Sequence, residues 1–381
     1  LSILAIATAA LLAVLAAWLG ARALALKPPS ASKALDPAGA GLRRMHFFPT
    51  PRIGGIAIAA GCVAGLALSC ALSGEACSWS LLLVCAAPGF AWGLIEDFSA
   101  RGAVMVRLVL TAASASLGFF VLDARIPALH VPGLDWLLGF NAFSFAFTVF
   151  AVSGVAHSMN VIDGLNGLSG VIALLASIGL AVVAAAVGDS FVLGAACVLG
   201  ASLAGFLAVN YPRGRIFLGD GGAYLVGLLL AELSVLIVQR NSEVSPWFPL
   251  VLLAYPIWET LFSMYRRKAR GHSTSRADAL HLHSLVYRRL VRWRGFDGRP
   301  SDYVTRNSVA SLCLWPIPLA CLAIALAFWE YSPALQVAAA AFGIAYTLAY
   351  RRLARFQVPA WLVLRARSGA EAEPAELKAE R

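Results

Sequence analysis

The sequence predicts an all-α integral membrane protein of about eleven transmembrane helices, with its amino terminus outside and its carboxyl terminus in the cytoplasm. Three observations predict it. Of the 381 residues, 60% are hydrophobic and only 13% are charged, against roughly 45–50% and 25% in ordinary soluble domains. The apolar residues arrive in blocks near 20 long, about the length at which a helix crosses ~30 Å of hydrocarbon. The basic residues gather in alternate connections between those blocks, as the positive-inside rule expects.

Taken in order, the apolar runs place spans near 2–22, 53–73, 78–95, 104–122, 138–157, 168–187, 190–209, 221–239, 247–265, 307–329 and 334–350. The block from Leu1 has no basic region before it and no obvious cleavage site after it, which reads as a retained helix rather than a signal peptide, although no initiator Met precedes it. Segments 22–52, 97–107, 210–216, 266–306 and the tail from 351 carry all of the 30 Lys and Arg except Arg125 and Arg240. Placing these segments in the cytoplasm requires an odd number of spans, which eleven satisfies. The chain thus reads as one polytopic domain, 1–367, with cytoplasmic loops near 23–52, 96–104, 158–167, 210–220 and 266–306, and a short polar cytoplasmic tail, 368–381.

The net charge of +10 in a soluble protein would suggest nucleic acid, but here the basic residues flank hydrophobic spans and face lipid headgroups, so no nucleic acid is implied. The seven cysteines show no paired spacing and read as small core residues.

Burying a charge in hydrocarbon costs several kcal/mol, so the positions of the acids are informative. Glu96, Asp97, Asp163 and Asp220 come from three parts of the chain yet all fall at cytoplasmic loops or span ends, where one site could collect them. Glu96 and Asp97 end the third span. Adjacent carboxylates bind a hard cation through oxygen, or one accepts a proton while the other holds metal. Plain interfacial polarity is the alternative. In the run Asn160 to Leu168, the residues Asn160, Asp163 and Asn166 recur every third position, a polar face suited to a nucleotide or a metal if helical. A Gly/Asn turn is the alternative, and Asp163 is a charge such a turn does not need. The run Asn210 to Gly222 joins two spans, with Arg213 and Arg215 able to neutralise phosphate and Asp220 opening the next helix. Finally, Asp278 is followed by His281 and His283, which are two apart and so do not share a helical face; phosphate contact fits them better than zinc. Glu232 and Glu259 are the most embedded acids, as partnered structural groups or as markers of a charged path.

At these four clusters, and over about 36–284, the chain resembles the polyprenyl-phosphate N-acetylhexosamine-1-phosphate transferases, the membrane family of the MraY and WecA enzymes. Asp36, Arg43-Arg44-Met45-His46 and Pro49-Thr50-Pro51-Arg52-Ile53-Gly54-Gly55 are similar to that family's first cytoplasmic loop. The resemblance implies transfer of an N-acetylhexosamine 1-phosphate, such as GlcNAc-1-phosphate, from a UDP-sugar to undecaprenyl phosphate or another polyprenyl phosphate. UMP is released and a lipid-linked cell-envelope glycan, such as an O-antigen, is begun. It implies Mg²⁺, with Mn²⁺ as a substitute, and a multi-pass protein of the bacterial inner membrane whose site faces the cytoplasm. A homodimer is a further expectation. By position, Glu96, Asp97, His281 and His283 are the catalytic candidates. Asn160, Asp163, Asn166, Asn210, Arg213 and Arg215 are the nucleotide and substrate candidates, and Asp220 with Asp163 the metal ligands. Glu96, His157, Asn166 and Ser284 depart from the family's usual residues, which argues for a simple hexosamine rather than the peptide-bearing peptidoglycan substrate. The rival readings are a secondary transporter, which repeats and midplane sites would mark, and an inactive lipid-binding relative.

Overall fold

The computed structural model describes residues 3–27, 35–36, 49–73, 78–99, 102–271, 280–291 and 300–357. Arg43-Arg44-Met45-His46, Arg101, Asp278, Arg292, Arg294 and the tail 368–381 lie outside these residues. The regular structure among them is helical apart from one antiparallel pair of two-residue strands, β1 (Leu35–Asp36) and β2 (Thr50–Pro51). The first helices are α1 (Ile3–Leu26), α2 (Gly54–Ser73), α3 (Ser78–Ser99), α4 (Val104–Val121), α5 (Leu134–Leu138), α6 (Asn141–Ile162), α7 (Leu168–Ala186) and α8 (Ser190–Asn210). They are followed by α9 (Gly219–Arg240), α10 (Trp247–Leu252), α11 (Ala254–Ala269), α12 (Leu282–Leu285), a π turn (Val286–Leu290), α13 (Pro300–Leu314), α14 (Pro316–Ala327) and α15 (Ser332–Ala354).

Ten helical stretches are long and apolar enough to cross a bilayer among the described residues, and each matches one predicted span. The remaining predicted span, 247–265, is divided into α10 and α11 at Leu253. Pro256 explains the break: it has no N–H to give the Leu252 carbonyl, and its ring crowds that carbonyl. The span 307–329 likewise runs through α13 and α14, which meet at Trp315 just before Pro316.

The most enclosed of the described helices is α9, buried at every residue from Gly221 to Val238 and packed chiefly on α3 and α6, then on α2, α7, α8 and α4. Its first turn is pressed against two neighbours through glycine. A Cβ on Gly93 would lie 2.5 Å from Gly221 Cα, and one on Gly55 would lie 2.4 Å from the Gly222 nitrogen. Small residues let helix backbones approach this closely in a membrane, where packing rather than water drives association. The result brings the ends of α2 and α3 onto the start of α9. Further along α9, Glu232 is buried against Gly118 of α4, with no partner for either oxygen among the described residues.

At the other end of the bundle, Asp189 caps α8 by accepting the Phe191 and Val192 N–H groups and receives Arg240 Nε at 2.7 Å. Burial opposes its charge, but Arg240, the Val192 amide and Asn241 outweigh it and hold the carboxyl below its usual range. The reading of all cysteines as core residues needs one correction. Cys62, Cys85, Cys197, Cys313 and Cys321 are free, but Cys70, near the end of α2 remote from Arg52, is disulfide-bonded. A single bridge leaves no repeated spacing for sequence inspection to find.

Overpacking a tight contact typically costs about 1–3 kcal/mol. Gly93→Ala, whose methyl meets backbone of α9, is therefore expected to lower the melting temperature in detergent by several degrees. An unchanged melting curve would mean that α3 and α9 are not in this contact.

Candidate active site

The segment before α9 is stitched to the segment before α2 by backbone hydrogen bonds. Phe217 N–H donates to the Pro51 carbonyl, and Gly54 and Gly55 N–H donate to Phe217 and Leu218. This zipper sets Arg52 beside the start of α9. Its Nη2 lies 3.3 Å from Asp220 Oδ1 and 3.7 Å from Asp97 Oδ1. From α6, Asn160 Nδ2 donates to the same Asp220 oxygen at 2.8 Å.

Asp97 closes the arrangement from α3. Its two oxygens accept the Asp220 and Gly221 N–H groups, each at 2.9 Å, and its side chain is 0% exposed. These N–H groups have no partner within a helix, and the helix dipole favours an anion there. Glu96, one residue earlier, turns to α4 instead. Its Oε1 receives Arg107 Nε at 3.0 Å and the Ala103 N–H at 3.3 Å, while its buried Oε2 has no hydrogen-bond partner among the described residues. The adjacent acids thus have different surroundings, Asp97 the head of α9 with Arg52 beside it and Glu96 the start of α4 with Arg107. Below them, His157 Nε2 meets Thr111 Oγ1 at 3.0 Å, and the His157 ring packs edge-on to Tyr224, one turn into α9.

Asp163, just past α6, is half-buried and accepts the Ser169 hydroxyl at 2.6 Å. Burial pushes its carboxyl up to about 6, against the lowering effect of Ser169 and Arg52 and with a further rise from Asp220. Asn166 and Asn210 are buried and bind the loops to one another. Asn166 N–H donates to Asn307 Oδ1 and its Nδ2 to the Pro212 carbonyl, while Asn210 Nδ2 donates to the Ile216 carbonyl and its Oδ1 accepts the Gly167 N–H. Arg213 and Arg215 stand exposed on the α8–α9 connection.

The histidines join this face through Gly164. A Cβ there would lie 2.3 Å from His283 Nε2, so glycine is the residue that lets the imidazole pack on the Asp163 loop. His281 and His283 stack nearly parallel, at 7° and 5.5 Å between ring centres. His283 is buried, with Nδ1 unpartnered among the described residues, and burial together with His281 pushes it down to about 4. His281 Nδ1 meets Glu259 Oε1 of α11 at 2.9 Å.

Of the residues expected from sequence, Glu96, Asp97, Asn160 and Asp220 come together around the start of α9. Asp163, His281 and His283 adjoin them through the 163–164 turn, Asn166 and Asn210 build the loops, and Arg213 and Arg215 lie outside. Arg52, Arg107, Thr111 and Glu259 were not singled out as site residues. Of these, Arg52 and Glu259 did carry a signal, the one within the Pro49 to Gly55 motif and the other as an acid within an apolar block.

No set of three or more His, Cys, Asp or Glu able to hold a metal ion exists among the described residues. Magnesium does not require one, since it uses one or two carboxylates and completes its shell with phosphate and water. Asp220 and Asp163 suit that demand. Each has one oxygen engaged by a donor and the other without a partner among the described residues.

His283 yields a test. Its pKa lies below that of an unfolded histidine, so the folded state loses stability as pH falls from about 6.5 towards 4, by up to about 3 kcal/mol. His283→Gln is expected to flatten that acid limb of a melting-temperature series; an identical slope in both proteins would place the imidazole in water.

A glycosyl transferase family 4 model matches residues 79–238, from α3 through α9, and so includes Glu96, Asp97, Asp163 and Asp220 but not Glu259, His281 or His283. The chain is 29% identical over 245 residues to a probable undecaprenyl-phosphate N-acetylglucosaminyl 1-phosphate transferase of Bacillus subtilis (strain 168), covering 63% of this chain and 66% of that protein. It is 27% identical over 276 residues to decaprenyl-phosphate N-acetylglucosaminephosphotransferase of Mycobacterium tuberculosis (strain ATCC 25618 / H37Rv), with the same coverage. It is 26% identical over 252 residues to undecaprenyl-phosphate alpha-N-acetylglucosaminyl 1-phosphate transferase of Salmonella typhi, covering 65% and 67%. The chain therefore spans about two thirds of the length of these relatives, and just under that, 66%, of the first two.

Proposed function

We propose that the chain, which a glycosyl transferase family 4 model matches over residues 79–238, transfers an N-acetylhexosamine 1-phosphate from a UDP-sugar to a polyprenyl phosphate such as undecaprenyl phosphate, releasing UMP. The observation that carries this reading is the gathering of Asp220, Asp97, Glu96, Asn160 and Arg52 at the start of α9, at one end of an apolar bundle. A lipid phosphate can reach such a place with its tail still in hydrocarbon.

Phosphoryl transfer depends mainly on positioning and on neutralising charge. Asp220 and Asp163 are the residues that would hold Mg²⁺, which supplies screening of the phosphate oxygens. Arg52, 37% exposed and beside Asp220, is placed to meet a phosphate oxygen from the open side. Asn160 orients Asp220 by donating to one oxygen and leaving the other. Asp97 sets the position of α9, and with it Asp220, and both its oxygens are occupied by backbone N–H groups in doing so. The nucleophile is already an anion, so the scheme needs no proton taken by Asp97. Arg213 and Arg215 extend positive charge toward the aqueous side, where a UDP-sugar approaches.

We place this site on the cytoplasmic side of a bacterial inner membrane, with the amino terminus outside. The distribution of basic residues supports that orientation. So does the disulfide at Cys70, near the end of α2 remote from the site, because disulfides persist in oxidising compartments. An O-antigen or another envelope glycan is the product we expect downstream.

The test uses purified protein in detergent with undecaprenyl phosphate, a panel of radiolabelled UDP-sugars, and Mg²⁺ or EDTA. Label entering lipid with one sugar, UMP release and loss of both in EDTA are expected. No turnover from folded protein with any sugar would remove the transferase reading. Asp220→Asn is expected to lower turnover at least a hundredfold with the melting temperature kept. Normal turnover at saturating Mg²⁺ would take Asp220 out of the metal site.

A further inference from the structure

The second buried acid in a predicted span, Glu259, is surrounded by donors. It is 1% exposed, and its carboxylate takes four contacts that tie three parts of the chain together. His281 Nδ1 lies 2.9 Å from Oε1, the Leu282 N–H is 3.2 Å from both oxygens, and the Tyr346 hydroxyl donates to Oε2 at 2.6 Å. The residues just before are fixed as well. Arg266 Nη1 donates to the Leu280 carbonyl at 2.5 Å and to the Tyr350 hydroxyl, which itself donates to Leu280 at 3.0 Å. Two helices, α11 and α15, thus hold residues 280–282 from both sides.

This geometry dictates the state of one imidazole. The Leu282 amide can only donate, and an ionised carboxylate can only accept. Glu259 accepting from His281 therefore keeps the proton on Nδ1, whatever the charge of the ring. Nε2, which has no partner among the described residues, is the nitrogen left to exchange a proton. The neighbouring ring differs, since the His283 Nε2 is pressed on Gly164. Of the stacked pair, only His281 offers a nitrogen not already packed against protein.

We propose that Glu259 is a positioning residue for the transfer proposed above. It fixes His281 as the Nδ1–H tautomer and presents Nε2 as a proton donor, once the ring is protonated, to the diphosphate of the UDP-sugar. The negative carboxylate behind the ring offsets the imidazolium charge, and Tyr346 and the Leu282 amide keep that carboxylate from turning away. The arrangement also explains why an acid is kept within an apolar block. Carboxylates that orient a histidine through Nδ1 do comparable work in hydrolases.

The experiment labels the ring nitrogens of the histidines in the full chain and assigns His281 by its absence in His281→Asn. Nitrogen chemical shifts are then read in detergent at a pH where the ring is neutral. Wild-type protein is expected to show Nδ1 protonated and Nε2 bare. Glu259→Gln, whose amide can donate to Nδ1, is expected to move His281 toward the opposite tautomer and to raise KM for the UDP-sugar at least tenfold. Glu259→Asp, which keeps the charge, is expected to restore the wild-type tautomer and most of the affinity. A wild-type His281 protonated on Nε2 overturns the proposal, and needs no variant to fold. So does a Glu259→Gln protein with unchanged tautomer and KM. The wild-type tautomer in a protein that turns over no UDP-sugar would leave the Glu259–His281 pairing standing and remove the transferase reading instead.

Discussion

The site depends on one carboxylate meeting the start of one helix. Asp97 closes two unsatisfied N–H groups at the head of α9, and no other described side chain accepts them. Without it, those groups would be buried without partners, a cost of about 1–3 kcal/mol each. The glycine contacts of α9 with α2 and α3 allow the approach, and the carboxylate fixes the register. Asp220, the next group outward, is thereby aimed by a backbone that cannot slide. Arg52 and Asn160 then select which of its oxygens is engaged.

The carboxylates and the histidines reach the same face by unrelated routes. The acids ride on the ends of membrane-crossing helices, whereas His281 and His283 follow α11 and are held by α11 and α15. Gly164 is the joint, because only a residue without a side chain lets His283 rest on the turn that carries Asp163. The break at Leu253 serves this arrangement. It frees α11 from the direction of α10, so Glu259, Ser263 and Arg266 can all be buried toward the 280–291 segment and α15.

Much of this was legible in sequence. Hydropathy located the ten helical stretches among the described residues that are long and apolar enough to cross, because a helix in lipid must satisfy its own backbone over a set length. The acids were legible as a group because charge is rare beside apolar blocks. What could not be read was which partner each would take. Asp97 and Gly221 are 124 residues apart, and Arg52 and Asp220 are 168 apart, so no local pattern joins them. Glu96 and Asp97 look equivalent as a pair, yet they point from one helix end to α4 and to α9. Asn166 and Asn210, which the resemblance offered as nucleotide and substrate groups, also bind the buried loops to one another, through partners remote in sequence. Glu259 was visible as an embedded acid, but its partners lie on a later segment.

The enclosure of α9 from Gly221 to Val238 also bears on how the chain is assembled. A helix with so little surface to offer lipid has its resting place in the bilayer among its neighbours. The helices it packs on most, α3, α6, α2, α7, α8 and α4, all precede it in the chain. Synthesis from the amino terminus therefore completes the receptacle before α9 emerges to fill it. Docking of that one helix would bring Asp220 to Asp97 and create the carboxylate half of the site in a single late event, before the segment bearing the histidines has been made.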